Sequence, residues 1–247
     1  MKRQTFVRYS QMIMFCLVVA FATAVFYILQ CVVESKTEPV LSGRSMPNNV
    51  TIVIDAGHGG EDGGAVGVTG VLEKDINFAI SKYLYEFFSL TDIETVMTRK
   101  DDNLLYEAGQ ESRKKFNDLN NRVKFCSLFD FPVLISIHQN KFPIEKYKGL
   151  QVWYSGKNDG SKLLADIIQN KTVEFIQHDN NRKTKQAGKN IFVLDRVDCP
   201  AVLVECGFLS NFEEEKCLND AQYQKEIAFV IFSSVMDYLM SFDKKMN

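Results

Sequence analysis

The chain has no excess of either charge. Its 29 Lys and Arg against 31 Asp and Glu leave a formal net charge of −2, and no basic stretch is interleaved with aromatics, so composition gives no support to a nucleic-acid partner. Internal repeats and low-complexity tracts are also missing, which removes solenoids and biased polymers from consideration. Six cysteines are present, but without the spacing of a metal site. Cys16 and Cys31 fall in an apolar run and Cys126 on an apolar helix face, leaving Cys199, Cys206 and Cys217 as an odd set. They read mostly as small hydrophobes, with a Cys199–Cys217 bridge as the minor alternative. What remains is a chain of 247 residues, 46% hydrophobic and 24% charged, with enough apolar material for one good core.

One stretch lacks charge altogether. Residues 12–33 carry none, and they follow a short basic segment, 1–11, holding Lys2, Arg3 and Arg8. Roughly 20 residues at about 1.5 Å each cross a hydrocarbon core of about 30 Å. The leading cations, against the mixed Glu34, Lys36 and Glu38, orient the start toward the cytoplasm and the rest outside. A retained membrane anchor is the favoured reading. The alternative is a cleaved secretory signal, for which Ala22-Thr23-Ala24 offers small residues, but the apolar run continues past that site. A lipoprotein site at Cys31 is disfavoured because Leu29-Gln30 lacks the small residue required. Residues 34–49, with Pro39, Gly43 and Pro47, read as a polar linker. The folded unit then occupies residues 50–247, a size that fits one domain.

Within that unit strand-like and helix-like patterns alternate. Residues 51–54 form a β-branched run that reads as a buried strand. Residues 72–89 place Ile76, Ile80, Leu84 and Phe87 on one helical face, with Glu73 and Asp75 near the positive end. Strands are predicted over 93–98, 133–137, 149–154, 191–194 and 201–204. Further helices are predicted over 116–126, 161–177 and 223–240, and 101–113 reads as a loop. The expected fold class is α/β: a mostly parallel or mixed sheet flanked by helices.

Chemistry gathers at the strand ends. The first strand runs into Asp55-Ala56-Gly57-His58-Gly59-Gly60, whose glycines allow a loop to fold tightly around His58. Taken alone, His58 is either a metal or catalytic residue or a histidine satisfied at a sheet edge. The strand over 133–137 ends in His138-Gln139-Asn140, and that over 201–204 in Glu205-Cys206-Gly207-Phe208-Leu209-Ser210-Asn211. Sites in open α/β sheets lie outside the carboxyl ends of strands, where His58, His138 and Glu205 all fall. Glu73, at the head of the first helix, is reached through the glycine loop. Two imidazoles and one carboxylate make the three-ligand set of a catalytic zinc site, with a fourth position left to water. A second carboxylate nearby can act as general base.

These motifs, Asp55 to Gly60, Leu72-Glu73-Lys74-Asp75, Ser136 to Asn140 and Glu205 to Asn211, follow in the order of the zinc-dependent N-acetylmuramoyl-L-alanine amidases of the Amidase_3 type, which the chain resembles over about residues 51–238. The resemblance implies a sheet of about six strands, a zinc cofactor held by His58, Glu73 and His138, and Glu205 as catalytic carboxylate. The implied substrate is peptidoglycan, cleaved between the lactyl group of muramic acid and L-alanine. The apolar amino-terminal run, the absence of appended wall-binding repeats, and Glu111-Ser112-Arg113 with Asp118 to Val123 resemble the germination-specific (CwlD-type) amidases of spore-forming bacteria. That subtype implies a role in cortex maturation, toward muramic lactam; a vegetative autolysin fits the same motifs. The loop 101–113 looks too short for an occluding helix, so control is expected from expression, localisation or an extracytoplasmic accessory protein. A zinc peptidase or an inactive wall-binding scaffold are the readings from other classes, and Glu205 argues against the scaffold.

Other polar residues take plainer roles. His178 reads as a solvated surface residue, and Glu61 and Asp62 as solvated loop charges with substrate contact as the alternative. Asp55 is expected to support its strand end or a ligand's hydrogen bonds. Asn140 and Asn211 either fix loops or touch the peptide. Arg113 and Arg122 are expected on helix surfaces, with a peptide carboxylate as the alternative partner. Cys206, next to Glu205 on a strand, should point to the opposite face.

Overall fold

In a computed structural model of the chain, residues 49–106, 109 and 111–243 are described; the basic start, the apolar run 12–33 and nearly all of the linker lie outside them. Among the described residues no helix is long and apolar enough to cross a membrane. The β-branched run forms β1 (Val50–Ala56), with Ile52, Val53 and Ile54 completely buried. A strand apolar on both faces must be covered on both, and alternation sends its side chains to two cores. Ile52 and Ile54 face one with Ile76, Ile80, Leu84 and Ile231, whereas Val53 faces the other with Leu134, Leu194 and Leu203. Each such fully buried aliphatic side chain contributes about 1.5–3 kcal/mol.

The remaining strands are β2 (Glu94–Met97), β3 (Phe131–Asn140), β4 (Gln151–Tyr154), β5 (Lys185–Gln186) and β6 (Ala201–Phe208). They form one six-stranded sheet in the order β2-β1-β3-β6-β4-β5. Every pairing is parallel except β4 with β6. Helices α1 (Glu73–Phe88), α3 (Asp159–Phe175) and α6 (Ala221–Asp243) cover the first core; α2 (Lys114–Cys126) and the short α4 (Phe192–Arg196) cover the second, and α5 (Phe212–Leu218) follows β6. The mixed six-stranded α/β sheet agrees with the expectation. β3 and β6 slip by one residue near their ends: His138 pairs with Glu205, but Asn140 pairs with Phe208.

Three elements differ from the sequence reading. The apolar run 191–194 is not a strand. It enters α4, where Val193 and Leu194 are buried against the second core; a short apolar run has no period that separates strand from helix. Helix α5 was not expected, although Asn211 caps it by accepting from Glu214 N–H at 3.0 Å, an N-cap signal followed by three glutamates in the first turn. The two-residue β5 leaves no periodic trace. Cys126, Cys199, Cys206 and Cys217 are all free thiols, so no Cys199–Cys217 bridge forms. Instead Cys199 lies within hydrogen-bonding reach of Cys126.

Candidate metal centre and active site

The loop after β1 is folded back on itself by paired backbone hydrogen bonds between Gly59 and Asp62, both 3.0 Å. That hairpin demands unusual backbone angles. His58 itself sits at φ 63°, among Gly59 and Gly60 at φ 142° and 54°, and a non-glycine residue in the left-handed region carries local strain. The consequence is that Asp62 returns beneath His58, its Oδ2 2.9 Å from Nδ1. A carboxylate accepting from Nδ1–H fixes the tautomer and leaves Nε2 for the centre of the site. Asp62 is therefore not the solvated loop charge expected from sequence. Glu61 does stay exposed, paired with Lys114.

Glu73, the first residue of α1, is buried between two imidazoles. Its Oε2 is 3.3 Å from His58 Nε2 and its Oε1 3.0 Å from His138 Nδ1. One donor atom from each of the three lies within 4.8 Å of the others. Backbone and side-chain donors anchor the carboxylate: Ala65 N–H to Oε2 at 2.8 Å, Gln139 N–H to Oε1 at 3.0 Å and Asn77 Nδ2 to Oε1 at 3.3 Å. Gln139 Nε2 donates in turn to Asn77 Oδ1 at 3.1 Å. Asn77 follows Glu73 by four residues on one helix face, a spacing that would have revealed it.

Space at this centre is made by two glycines. A Cβ at Gly57 would collide with the His138 ring, and one at Gly64 would lie 2.6 Å from Glu73 Oε2 and 2.8 Å from His58 Cδ2. Burial works against ionisation here, yet hydrogen bonds to the histidines drive the Glu73 pKa far below the carboxylate range. For His58, too, burial is outweighed by Glu73 and Asp62, and its pKa is raised. Two imidazoles around one persistent carboxylate, with a second carboxylate behind His58, make a donor set able to hold a metal ion, and its chemistry suits zinc. The residues fit that ion.

Glu205 occupies the neighbouring strand as the register partner of His138 on β3 and of Gln151 on β4. The residue is half-buried, but its Oε2 is buried with no hydrogen-bond partner among the described residues. Burial, reinforced by the charge of Glu73 and opposed by His138, pushes its pKa up to about 7. A carboxyl group poised near neutrality beside a metal donor set can accept and return a proton. Cys206 does point away, into the first core.

Arg122 corrects another expectation, for it is not a surface residue but is buried at 2% exposure. Residues 118–122 show a helical polar pattern that looks solvated, and only the tertiary arrangement reveals its partners. Nε donates to Asp118 Oδ2 at 2.9 Å, Nη1 to Asp55 Oδ1 and to Ala56 O at 2.9 Å, and Nη2 to His58 O at 2.8 Å. Asp55 also accepts from Thr98 Oγ1 at 2.7 Å and Ser136 Oγ at 2.6 Å. Burial opposes its charge, but Arg122 and these hydroxyls hold its pKa at about 2. Asp55 thus supports its strand end, as expected, and Arg122 clamps the backbone that carries His58. His178 is exposed, bonded only to Val173 O at 3.0 Å among the described residues.

A family model described as N-acetylmuramoyl-L-alanine amidase (Amidase_3) matches residues 52–237. The germination-specific N-acetylmuramoyl-L-alanine amidase of Bacillus subtilis is 34% identical over 189 residues, spanning 76% of this chain and 78% of that relative. Among solved structures, the CwlD amidase of Clostridioides difficile in complex with the GerS lipoprotein is similar with a TM-score of 0.73 at 38% identity, covering 78% of this chain and 98% of that one. AmiC2 of Nostoc punctiforme, also an N-acetylmuramoyl-L-alanine amidase, gives 0.67 at 29% identity, with coverage of 80% and 99%. With a matched family model across the whole sheet and relatives above 30% identity, the chain belongs to the Amidase_3 family of N-acetylmuramoyl-L-alanine amidases.

Proposed function

We propose that the chain is a zinc-dependent amidase that hydrolyses the bond between the muramic lactyl group and L-alanine of peptidoglycan, acting in spore cortex maturation. The observation that carries this is the convergence of His58, Glu73 and His138 on one point, with the partnerless carboxyl oxygen of Glu205 on the adjoining strand. His58 Nε2, Glu73 and His138 Nδ1 would hold the ion, and Asp62 would keep the His58 ring in its ligating tautomer. When bound, zinc supplies a Lewis acid for the carbonyl and lowers the pKa of water. Glu205 then removes a proton from the attacking water and delivers it to the alanine nitrogen as the amide bond breaks. Its carboxyl titrates near neutrality, so it can serve as base and then as acid.

The cortex role is supported by similarity to the germination-specific enzyme of Bacillus subtilis and to CwlD of Clostridioides difficile. The latter was solved with the GerS lipoprotein, which favours an extracytoplasmic accessory protein as the partner of this chain as well. Residues 1–11 would lie in the cytoplasm, 12–33 would anchor the chain, 34–49 would act as a spacer, and 50–247 would form the catalytic domain outside the membrane. Digestion of purified cell wall with and without a chelator tests the activity: free muramic lactyl carboxylates and peptides starting in L-alanine should appear, and only without chelator. Glu205→Gln should retain stoichiometric zinc and release no peptide, whereas His58→Ala or His138→Ala should lose both. Stoichiometric zinc in either histidine variant would sink the ligand assignment.

A further inference from the structure

On the amidase reading proposed above, Glu205 returns a proton to the departing nitrogen, so the peptide attached to that nitrogen leaves on the Glu205 side of the centre. That side combines the end of the fourth motif with residues outside the motifs. Because β4 is antiparallel to β6, its first residue, Gln151, is the partner of Glu205, and paired residues on neighbouring strands project together. Gln151 Oε1 accepts from Arg182 Nη2 at 2.6 Å, while its Nε2 donates to Lys183 O at 2.7 Å. One amide side chain therefore ties the loop 178–184 to β4, the strand paired with that of Glu205.

Arg182 is held but not satisfied. Its guanidinium stacks on Phe208, 4.7 Å from the ring centroid, an arrangement that restrains a planar cation, and its backbone N–H donates to Asn180 Oδ1 at 2.9 Å. Yet its Nε is buried without a partner among the described residues. The nearby acids do not take up the fork. Glu214 is committed to Gly149 N–H and Phe208 N–H, both at 2.8 Å, and Asp179 is paired with Lys148. The charges of Glu214 and Glu205 reach Arg182 without a hydrogen bond to it. Arg182 also lines a cleft of about 610 Å³ with Tyr147, Lys148 and Asn211. A guanidinium has five donors in a planar fork that matches a carboxylate, and an under-used one lining a cleft is suited to a carboxylate that arrives with the substrate.

We propose that Arg182 is a specificity-determining residue that binds a free carboxylate of the leaving stem peptide in this cleft. The test uses the full-length, zinc-loaded protein and its Arg182→Gln and Arg182→Lys variants. Two soluble N-acetylmuramoyl-L-alanyl peptides serve as substrates, identical except that one has its peptide carboxylates converted to carboxamides. The wild type should prefer the free-carboxylate peptide by about 10- to 100-fold in kcat/KM, the range of a charged hydrogen bond, with most of the difference in KM. Arg182→Gln should bring that ratio to within about threefold of unity, and Arg182→Lys should keep part of it. Equal losses on both peptides in Arg182→Gln, or no preference in the wild type, would overturn the assignment. A wild type that cleaves neither peptide would overturn the amidase reading and this proposal with it.

Discussion

Replacing Glu205 by glutamine in chelator-treated protein should change how stability depends on pH. Burial first, and the Glu73 charge second, lift the Glu205 pKa from 4.5 to about 7. That is about 2.5 pH units at about 1.4 kcal/mol each, or about 3–4 kcal/mol at most for one proton, of which about 3 falls between pH 4 and 8. The folded state holds the proton up to about pH 7, while the unfolded chain releases it near pH 4.5. The stabilising contribution is therefore complete below pH 4.5 and is lost as pH rises through 7. Glutamine cannot titrate, and the other acids and histidines cancel to first order in the difference between the two proteins. Urea unfolding of both at intervals from pH 4 to 8 should show the wild type losing about 3 kcal/mol relative to Glu205→Gln across that interval. Added zinc should shrink the divergence, because a cation next to Glu205 favours its ionised form. A difference that stays flat from pH 4 to 8, or widens toward acid, would refute the assignment of a buried, partnerless carboxyl.

Asp62→Asn should weaken zinc binding by about 10- to 100-fold, the range for losing a carboxylate behind a ligating histidine, as read by competition with a chromophoric chelator; unchanged affinity would contradict the tautomer argument. Gly57→Ala should displace the His138 ring, which a Cβ there would strike, and lower zinc occupancy while leaving the core intact by circular dichroism. Arg122→Leu strands two buried carboxylates, Asp55 and Asp118, and should cost about 3–5 kcal/mol in urea unfolding; a cost below about 1 kcal/mol would show that the clamp is incidental.

The parts legible in the sequence share a cause. β1, α1, β3 and β6 announce themselves by apolar runs and helical period, and His58, Glu73, His138 and Glu205 follow the apolar runs or open the helix, so local pattern and topology suffice to bring them near one point. β3 and β6 themselves continue past His138 and Glu205 to Asn140 and Phe208. Residues that act by reaching another element stayed hidden. Arg122 looks solvated until Asp55 is brought against it, and Asp62 looks like a loop charge until the Gly59 hairpin turns it under His58. Arg182 lies in a polar loop whose neighbours, Asn181 and Lys183, look alike; only the tertiary arrangement, with β4 reversed, brings it against Phe208 of β6. The run at 191–194 failed for the opposite reason, since its pattern was too short to carry a period.

The one-residue slip between β3 and β6 works as a reading frame in space. Side chains on a strand alternate, so Glu205 and Phe208, an odd number apart, would ordinarily face opposite ways. The extra residue opposite 138–140 restores parity, so that Glu205 and the aromatic ring beneath Arg182 pair with His138 and Asn140, two positions on one face of β3. Removing Gly207 would take out the extra residue and leave Glu205 and Phe208 two positions apart, on one face of a regular ladder opposite His138 and Asn140.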